Sequence, residues 1–435
     1  MRGQNPREIA VHILRRREAG VDYVEHLLEA ESSGTALSPV DRGLIQELAY
    51  GVVRWQATLD WLVDRKTKGR PQKSGLQILL RLGLYQMFWL DRIPDHAAVF
   101  ETIEIAKRLG FGAQAGFINA VLRSYARERE PTRKLLEELK VQQPHLGFSH
   151  PAWLVERWTE RWGTEKTRRL LEMNNTPPKN YARLNTLKNG AERLTEEWRN
   201  EGVEYDFFRR DWTGGNLIFE LKSHPPLAML KSFREGLFYV QDPSTLLAVH
   251  ALEPKPGETV LDYCGAPGGK TTLIAQFMEN RGRIVARDTS PERLELLKEN
   301  CVRLGIACVV GELPESSSLS PSPAPHFDKV LIDAPCSNSG VMRRRVDLRW
   351  RIRPEEIERL RATQLELLQS AAPRLKPGGR LVYSTCSLEP QENKEVVKEF
   401  LREHPDFKLE IERELLPFQD GVDGAYVARL RLDCH

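Results

Sequence analysis

What this chain of 435 residues has little of narrows its class first. It holds six cysteines, at 264, 301, 308, 336, 386 and 434, without a C-x-x-C pair and with little histidine near them. Neither a zinc cage nor a disulfide framework is indicated, and thiols left free suit a reducing cytoplasm. There is no apolar signal core at the start, where MRGQNPREIAVHILRRREAG is charged and amphipathic. The longest greasy run, 76–90, contains Arg81 and Gln86 and falls short of the ~20 residues a membrane span needs. A cytoplasmic protein with no membrane partner and no resident metal is expected, and a monomer, although composition does not fix oligomeric state. Charge of one sign is also missing: the net is +3, so attraction to a polyanion has to come from local clusters. Three stand out: Arg15 to Arg17, RKTKGRPQK at 65–73, and MRRRVDLRWRIR at 342–353. A charge run is usually a solvated face, but the third carries Trp350 and closely follows a cysteine, so it has more weight as a contact for a polyanion.

The length suggests two or three domains, and texture divides it. From 41 to 63, DRGLIQELAYGVVRWQATLDWLV places Leu44, Ile45, Leu48, Val52 and Val53 at helical spacing, with Asp41 as a plausible N-cap. LQILLRLGLYQMFWL is apolar nearly all round, as a central bundle helix should be. Two further helical periods follow, so residues 1–140 read as an all-helical domain. A linker with Pro131, Pro144 and Pro151 comes next, then strand, helix, strand, strand over 181–221, a small α+β unit. Beyond about 236, TVLDYC, RIVARD, CVV, KVLIDAP and RLVYSTC alternate with helical stretches, which predicts a parallel sheet covered by helices on both faces. ELPESSSLSPSPAPHF interrupts the pattern, and its composition predicts a mobile loop.

Ligands of such sheets sit at the carboxyl ends of the strands. LDYCGAPGGKTT runs from strand through a glycine-rich turn into a helix. It nearly supplies a phosphate-binding loop, but that loop is one residue short and Pro267 removes an N–H donor. Asp288 at the second strand end and Asp333 at a later one favour an adenosine cofactor over a nucleoside triphosphate. The fourth strand ends in DAPCSNSG and the fifth in STCSLEPQEN. Free cysteine is usually core filler. Two of them at neighbouring strand ends, each at a Pro, Ser or Thr turn where filler is not needed, point instead to activated thiols.

These stretches carry a family resemblance. DYCGAPGGKTT, DAPCSNSGVMRRRVDLRWR, YSTCSLEPQEN and DGVDGAYVARL resemble successive motifs of the S-adenosylmethionine-dependent RNA cytosine-5 methyltransferases, and SHPAWLVERW, ARLNTLK and FYVQDPST resemble the stretches before them. AYGVVRW and IPDHAAVFETIEIAKRLGFGAQAGFINAVLR resemble the NusB-like domain fused in front of the catalytic part in the RsmB/Sun family of 16S ribosomal RNA methyltransferases. The resemblance implies a multidomain chain: an all-α NusB-like RNA-binding domain at 1–140, a small α+β RNA-binding subdomain at 145–235, and an α/β Rossmann-like methyltransferase domain at 236–435. It implies methylation of C5 of a cytosine in 16S ribosomal RNA, cytosine-967 being the family target. S-adenosyl-L-methionine is then the cofactor, contacted by Cys264, Gly265, Ala266, Pro267, Gly268, Gly269, Lys270, Asp288 and Asp333. Cys386 becomes the nucleophile, Cys336 assists product release and Asp333 contacts the cytosine edge. Where the family usually has Asp after the third strand this chain reads VVGELPE, leaving Glu312 as the adenine contact. Arg343, Arg344, Arg345, Arg349, Trp350 and Arg351 suit backbone and stacking contacts to RNA. Two alternatives stay open. One is the same chemistry on transfer RNA; the other is a non-catalytic antitermination-like RNA-binding factor, which leaves the paired cysteines and the glycine-rich turn unexplained.

Overall fold

The computed structural model describes residues 5–33, 37–188, 190–215, 217–314 and 326–434. Most of the Ser/Pro-rich stretch expected to be a mobile loop, 315–325, lies outside them. The chain divides into two compact units, Met1–Thr176 with Met342–Arg351, and Pro177–Val341 with Ile352–His435.

The first unit is helical. Its central helix, Ser74–Trp89, buries Leu76, Ile78, Leu79, Leu80, Leu82 and Leu84 among others, as expected for a segment apolar on every side. The run 41–63 is two helices and not one: Pro39–Arg54 and Gln56–Thr67, hinged at Trp55. The cap is Ser38, three residues before the predicted Asp41, whose N–H it accepts at 3.1 Å; proline at the first helical position suits that start. The expected helical domain, 1–140, is contained in this unit, which continues through the helices Ala152–Trp162 and Thr164–Asn174.

Segment 342–351 packs into this helical unit, with Val346 in its core. Arg349 is fully buried, and its guanidinium donates to the carbonyls of Arg54, Ser149 and Asn174 and to Asn175 Oδ1, at 2.8–3.3 Å. Burial without an acid lowers its pKa to about 9. Trp350 donates Nε1–H to Val53 O at 2.7 Å. Arg351 lies over the Tyr23 ring and pairs at 3.2 Å with buried Asp347, which also holds Arg17. Arg349 is thereby enclosed, contrary to the expected RNA contact, while Trp350 and Arg351 stay half-buried with polar groups engaged within this unit.

The second unit contains two sheets. Strands β1 (Asn180–Leu184), β2 (Glu204–Phe208), β3 (Ile218–Ser223) and β4 (Phe238–Val240) form an antiparallel sheet in the order β2-β3-β1-β4. The sequence reading misses β4, three residues long, as a member of this sheet. Strands β5 (Thr259–Asp262), β6 (Arg283–Arg287), β7 (Val309–Glu312), β8 (Phe327–Asp333), β9 (Leu375–Thr385), β10 (Phe407–Leu415) and β11 (Ala425–Leu432) form the second, in the order β10-β11-β9-β8-β5-β6-β7. The five expected strands, β5 to β9, are parallel; β11 pairs antiparallel with β9 and with β10. Alternate residues of the central strands enter different cores: Val260, Ile284, Ala286, Leu331 and Val382 one, Leu261, Val285, Val330, Ile332, Leu381 and Tyr383 the other. A sheet covered on both faces requires this, which is why its strands read as unbroken apolar runs. Among the described residues no helix is long and apolar enough to cross a membrane.

Candidate active site

The two thiols meet because their strands are neighbours in register. Asp333 on β8 lies opposite Ser384 on β9, and Ala334 N–H still bonds Ser384 O at 2.9 Å before Pro335 ends the ladder. A few residues on, Cys336 and Cys386 have their sulfurs 3.3 Å apart. Gly340 closes the turn, its N–H on Cys386 O at 2.9 Å; a Cβ there would lie 2.6 Å from that oxygen. Beneath both loops lies Glu392, fully buried. It accepts from Ser337 N–H at 2.7 Å, from the Ser337 and Ser387 hydroxyls and from Gln364 Nε2–H. Burial raises its pKa. The sequence reading overlooked Glu392, although it stands in the quoted PQEN.

Asn338 fixes the direction of the thiol–thiol hydrogen bond. Its Nδ2 lies 2.7 Å from Cys336 O, which can only accept, so the amide end faces that carbonyl. Oδ1 therefore faces Cys386 Sγ at 3.0 Å and accepts its S–H. With that proton committed, the hydrogen between the sulfurs belongs to Cys336. The hydrogen bond to Cys386, together with burial, holds the Cys336 thiol well above its ordinary pKa. Cys386 is half-buried and Cys336 buried.

Lys270 and Asp333 pair beside the thiols at 2.6 Å, and Ser384 Oγ donates to the other Asp333 oxygen at 3.2 Å. Burial would lower the Lys270 pKa, but the Asp333 carboxylate outweighs it and Cys386 adds to the upward push, so this buried ammonium stays charged.

The glycine-rich turn is a cradle with its carbonyls already taken. Arg293 donates to Ala266 O, Asn300 Nδ2 to Pro267 O at 3.1 Å, and Arg183 to Gly269 O at 2.8 Å. Gly268 has φ +107°, and a Cβ on it would meet Leu297 at 2.6 Å, so only glycine fits. Asp288, just beyond β6, accepts from Ser290 N–H at 3.1 Å and pairs with Arg293 at 3.0 Å. Glu312, at the end of β7, lies 3.5 Å from Arg287 and 3.8 Å from Arg283. Cys264 is unsuited to be a nucleophile: burial pushes its thiol up to about 12. Buried Asp262 accepts from Thr271 Oγ1 at 2.7 Å, while its Oδ1 has no hydrogen-bond partner among the described residues. A buried acid with one oxygen left over, under a turn that excludes side chains, fits a ligand that brings hydrogen-bonding groups of its own to the cradle. Arg183, Arg293, Asp262 and Asn338 are not legible in the sequence, since what marks each is a contact made only in the fold.

Asp262 yields a pH prediction. Burial raises its pKa from the ordinary 3.8 to about 7. Between these values the folded protein holds a proton that the unfolded chain has lost, so this group's contribution is complete below pH ~4 and is lost as pH rises to ~7. Asp262→Asn, neutral throughout, is expected to flatten that slope by an amount of order 1–4 kcal/mol. Urea denaturation of both proteins at pH 5 and pH 8 checks this, and parallel slopes would contradict a proton held at Asp262.

Comparison with known proteins agrees across the whole chain. Residues 249–431 match the family described as 16S rRNA methyltransferase RsmB/F, residues 4–127 the NusB family, and residues 150–208 the RsmF/B-like methyltransferase ferredoxin-like domain. The probable ribosomal RNA small subunit methyltransferase B of Bacillus subtilis is 36% identical, with 99% of each chain covered. The ribosomal RNA small subunit methyltransferase B of Pectobacterium carotovorum is also 36% identical, covering 95% of this chain and 98% of its own. The crystal structure of NSun6 from Pyrococcus horikoshii with SFG superimposes with a TM-score of 0.56 at 26% identity, over 65% of this chain and 98% of that one. With a NusB-like helical domain, a ferredoxin-like subdomain and a Rossmann-like sheet bearing paired thiols, the chain belongs to the RsmB/Sun family of ribosomal RNA small-subunit methyltransferases.

Proposed function

We propose that this protein methylates C5 of a cytosine in 16S ribosomal RNA, using S-adenosyl-L-methionine, with Cys386 as nucleophile and Cys336 as the group that assists release. The observation that carries this reading is the directed pair of sulfurs 3.3 Å apart, with Cys336 as donor. The cofactor, when bound, supplies an electrophilic methyl group. Cys264 to Lys270 and Asp288 would hold it, with Glu312 toward the adenine and Asp333 between cofactor and base.

C5 of cytosine is too weak a nucleophile to take a methyl group unaided. Cys386, as thiolate, adds to C6; as the Sγ–C6 bond forms, the C5=C6 electron pair moves to C5, which would then take the methyl group as that group's bond to the cofactor's sulfonium sulfur breaks. The C5 hydrogen is then lost as a proton to solvent, its electron pair re-forms the C5=C6 bond and the Sγ–C6 bond breaks, returning the thiolate. Cys336, whose S–H points at Cys386 Sγ, stabilises that thiolate on arrival and on departure. The charged Lys270 favours it as well. Asp333 would meet the base edge near N3, with the Lys270 ammonium paired to it there to offset the negative charge that develops. The target base must be unpaired or flipped to expose C6. Arg344 and the exposed Arg345 carry the RNA-contact role of the arginine cluster, since Arg343 is nearly buried and Arg349, Trp350 and Arg351 serve the fold.

Incubation of the purified protein and cofactor with 16S RNA, assembling small subunits and transfer RNA, followed by bisulfite sequencing, tests the reading. One protected cytosine in the 16S species is expected. Protection confined to transfer RNA would move the substrate, and methyl incorporation with no protected cytosine would overturn C5.

A further inference from the structure

We propose that Asn338 is a catalytic residue of this site, setting which thiol holds the proton between them; the proposal rests on the reading of Cys386 as nucleophile. Asn338 touches the reacting atom, with Oδ1 3.0 Å from Cys386 Sγ. Its orientation is not free, because the Nδ2 contact with Cys336 O at 2.7 Å forbids the flipped amide, which would set two oxygens against each other. Its backbone, at φ +56°, turns the side chain back over its own loop, a conformation asparagine tolerates better than most residues. The site therefore contains a one-way chain, Cys336 S–H to Cys386 Sγ, then Cys386 S–H to Asn338 Oδ1.

Two consequences follow for the free enzyme. Resting Cys386 is held as a thiol, because a carbonyl oxygen stabilises S–H and repels S⁻. Cys336 stands ready as the donor that receives the thiolate once the Cys386 proton is gone. Asn338 thus restrains the nucleophile until RNA displaces the carboxamide, which protects a reactive sulfur between turnovers.

Differential alkylation tests this without RNA or cofactor. The protein and its variants are treated with iodoacetamide at pH 8, and the Cys386 and Cys336 peptides are followed by mass spectrometry. Asn338→Gly keeps the positive φ accessible and removes the acceptor, so Cys386 should alkylate about 2–10-fold faster, the range expected from losing one hydrogen bond. Asn338→Asp loses the contact with Cys336 O, since two oxygens would oppose each other there, but it leaves a negative charge on the loop beside the sulfur, so Cys386 should alkylate about tenfold more slowly. Cys336 should change little in either. Opposite shifts at a single sulfur separate this role from loosening of the loop, which would speed both cysteines in both variants. An unchanged Cys386 rate in Asn338→Gly, or acceleration in Asn338→Asp, would overturn the proposal. Failure of the nucleophile reading is seen separately, as methylation surviving in Cys386→Ala.

Discussion

Cys386→Ala is expected to bind cofactor and RNA nearly as the native protein does, to lose methylation by several orders of magnitude, and to form no covalent species with RNA. Removal of a covalent nucleophile has effects of this size because no other group can begin the reaction. Cys336→Ala is expected to behave differently. Its nucleophile still adds and C5 still receives the methyl group, but expulsion of Cys386 is slowed, since the leaving thiolate has lost the S–H that lies 3.3 Å away. The protein should accumulate bound to its RNA through a bond that survives denaturing electrophoresis. The double variant should form no adduct, because addition precedes release. An adduct in Cys386→Ala and none in Cys336→Ala would reverse the roles; full activity in both would return the two residues to core filler. The direction of the sulfur–sulfur bond favours the stated order, since it makes Cys336 the donor toward Cys386 Sγ.

Much of this site was legible in the sequence because strands of a doubly covered sheet are uninterrupted apolar runs, and their ends stand out where Pro, Ser and Gly begin. DAPCS and STCSL could be read in that way, and parallel neighbours bring such ends together without further information. The antiparallel pair β10 and β11 was harder. β10 reads FKLEIEREL, with an exposed residue at most alternate positions and acids throughout, so its pattern falls between an edge strand and an amphipathic helix. The arginine cluster misled for a different reason. A charge run describes composition, and what decides its role is the partner. Among the described residues no carboxylate pairs with Arg349; it is solvated by the backbone carbonyls of Arg54, Ser149 and Asn174 and the side-chain amide of Asn175. Asn338 stands within DAPCSNSG, yet its role is not legible there, since it depends on which end of its amide faces a sulfur.

Asp288→Ala is expected to weaken binding of S-adenosyl-L-methionine about ten- to a hundredfold while the fold survives. The carboxylate is nearly buried at the end of β6, its Oδ1 accepts the Ser290 N–H and its Oδ2 pairs with Arg293, which leaves lone pairs for two ribose hydroxyls. Loss of charge-assisted hydrogen bonds of that kind costs about 1.5–3 kcal/mol, and every 1.4 kcal/mol is about tenfold in affinity. A second route to the same loss has to be separated. Arg293 also braces the glycine-rich turn through Ala266 O, so removing Asp288 frees a guanidinium that helps shape the cradle. Arg293→Ala isolates that contribution, because it takes away the brace and leaves the carboxylate. Arg293 is half-exposed, its hydrogen bond can be replaced by water, and its loss should cost less than tenfold. Calorimetric titration of each folded variant, with circular dichroism as the check on folding, gives the comparison. Unchanged affinity in Asp288→Ala would remove the ribose assignment, and an equal loss in Arg293→Ala would show that Asp288 acts only through the turn.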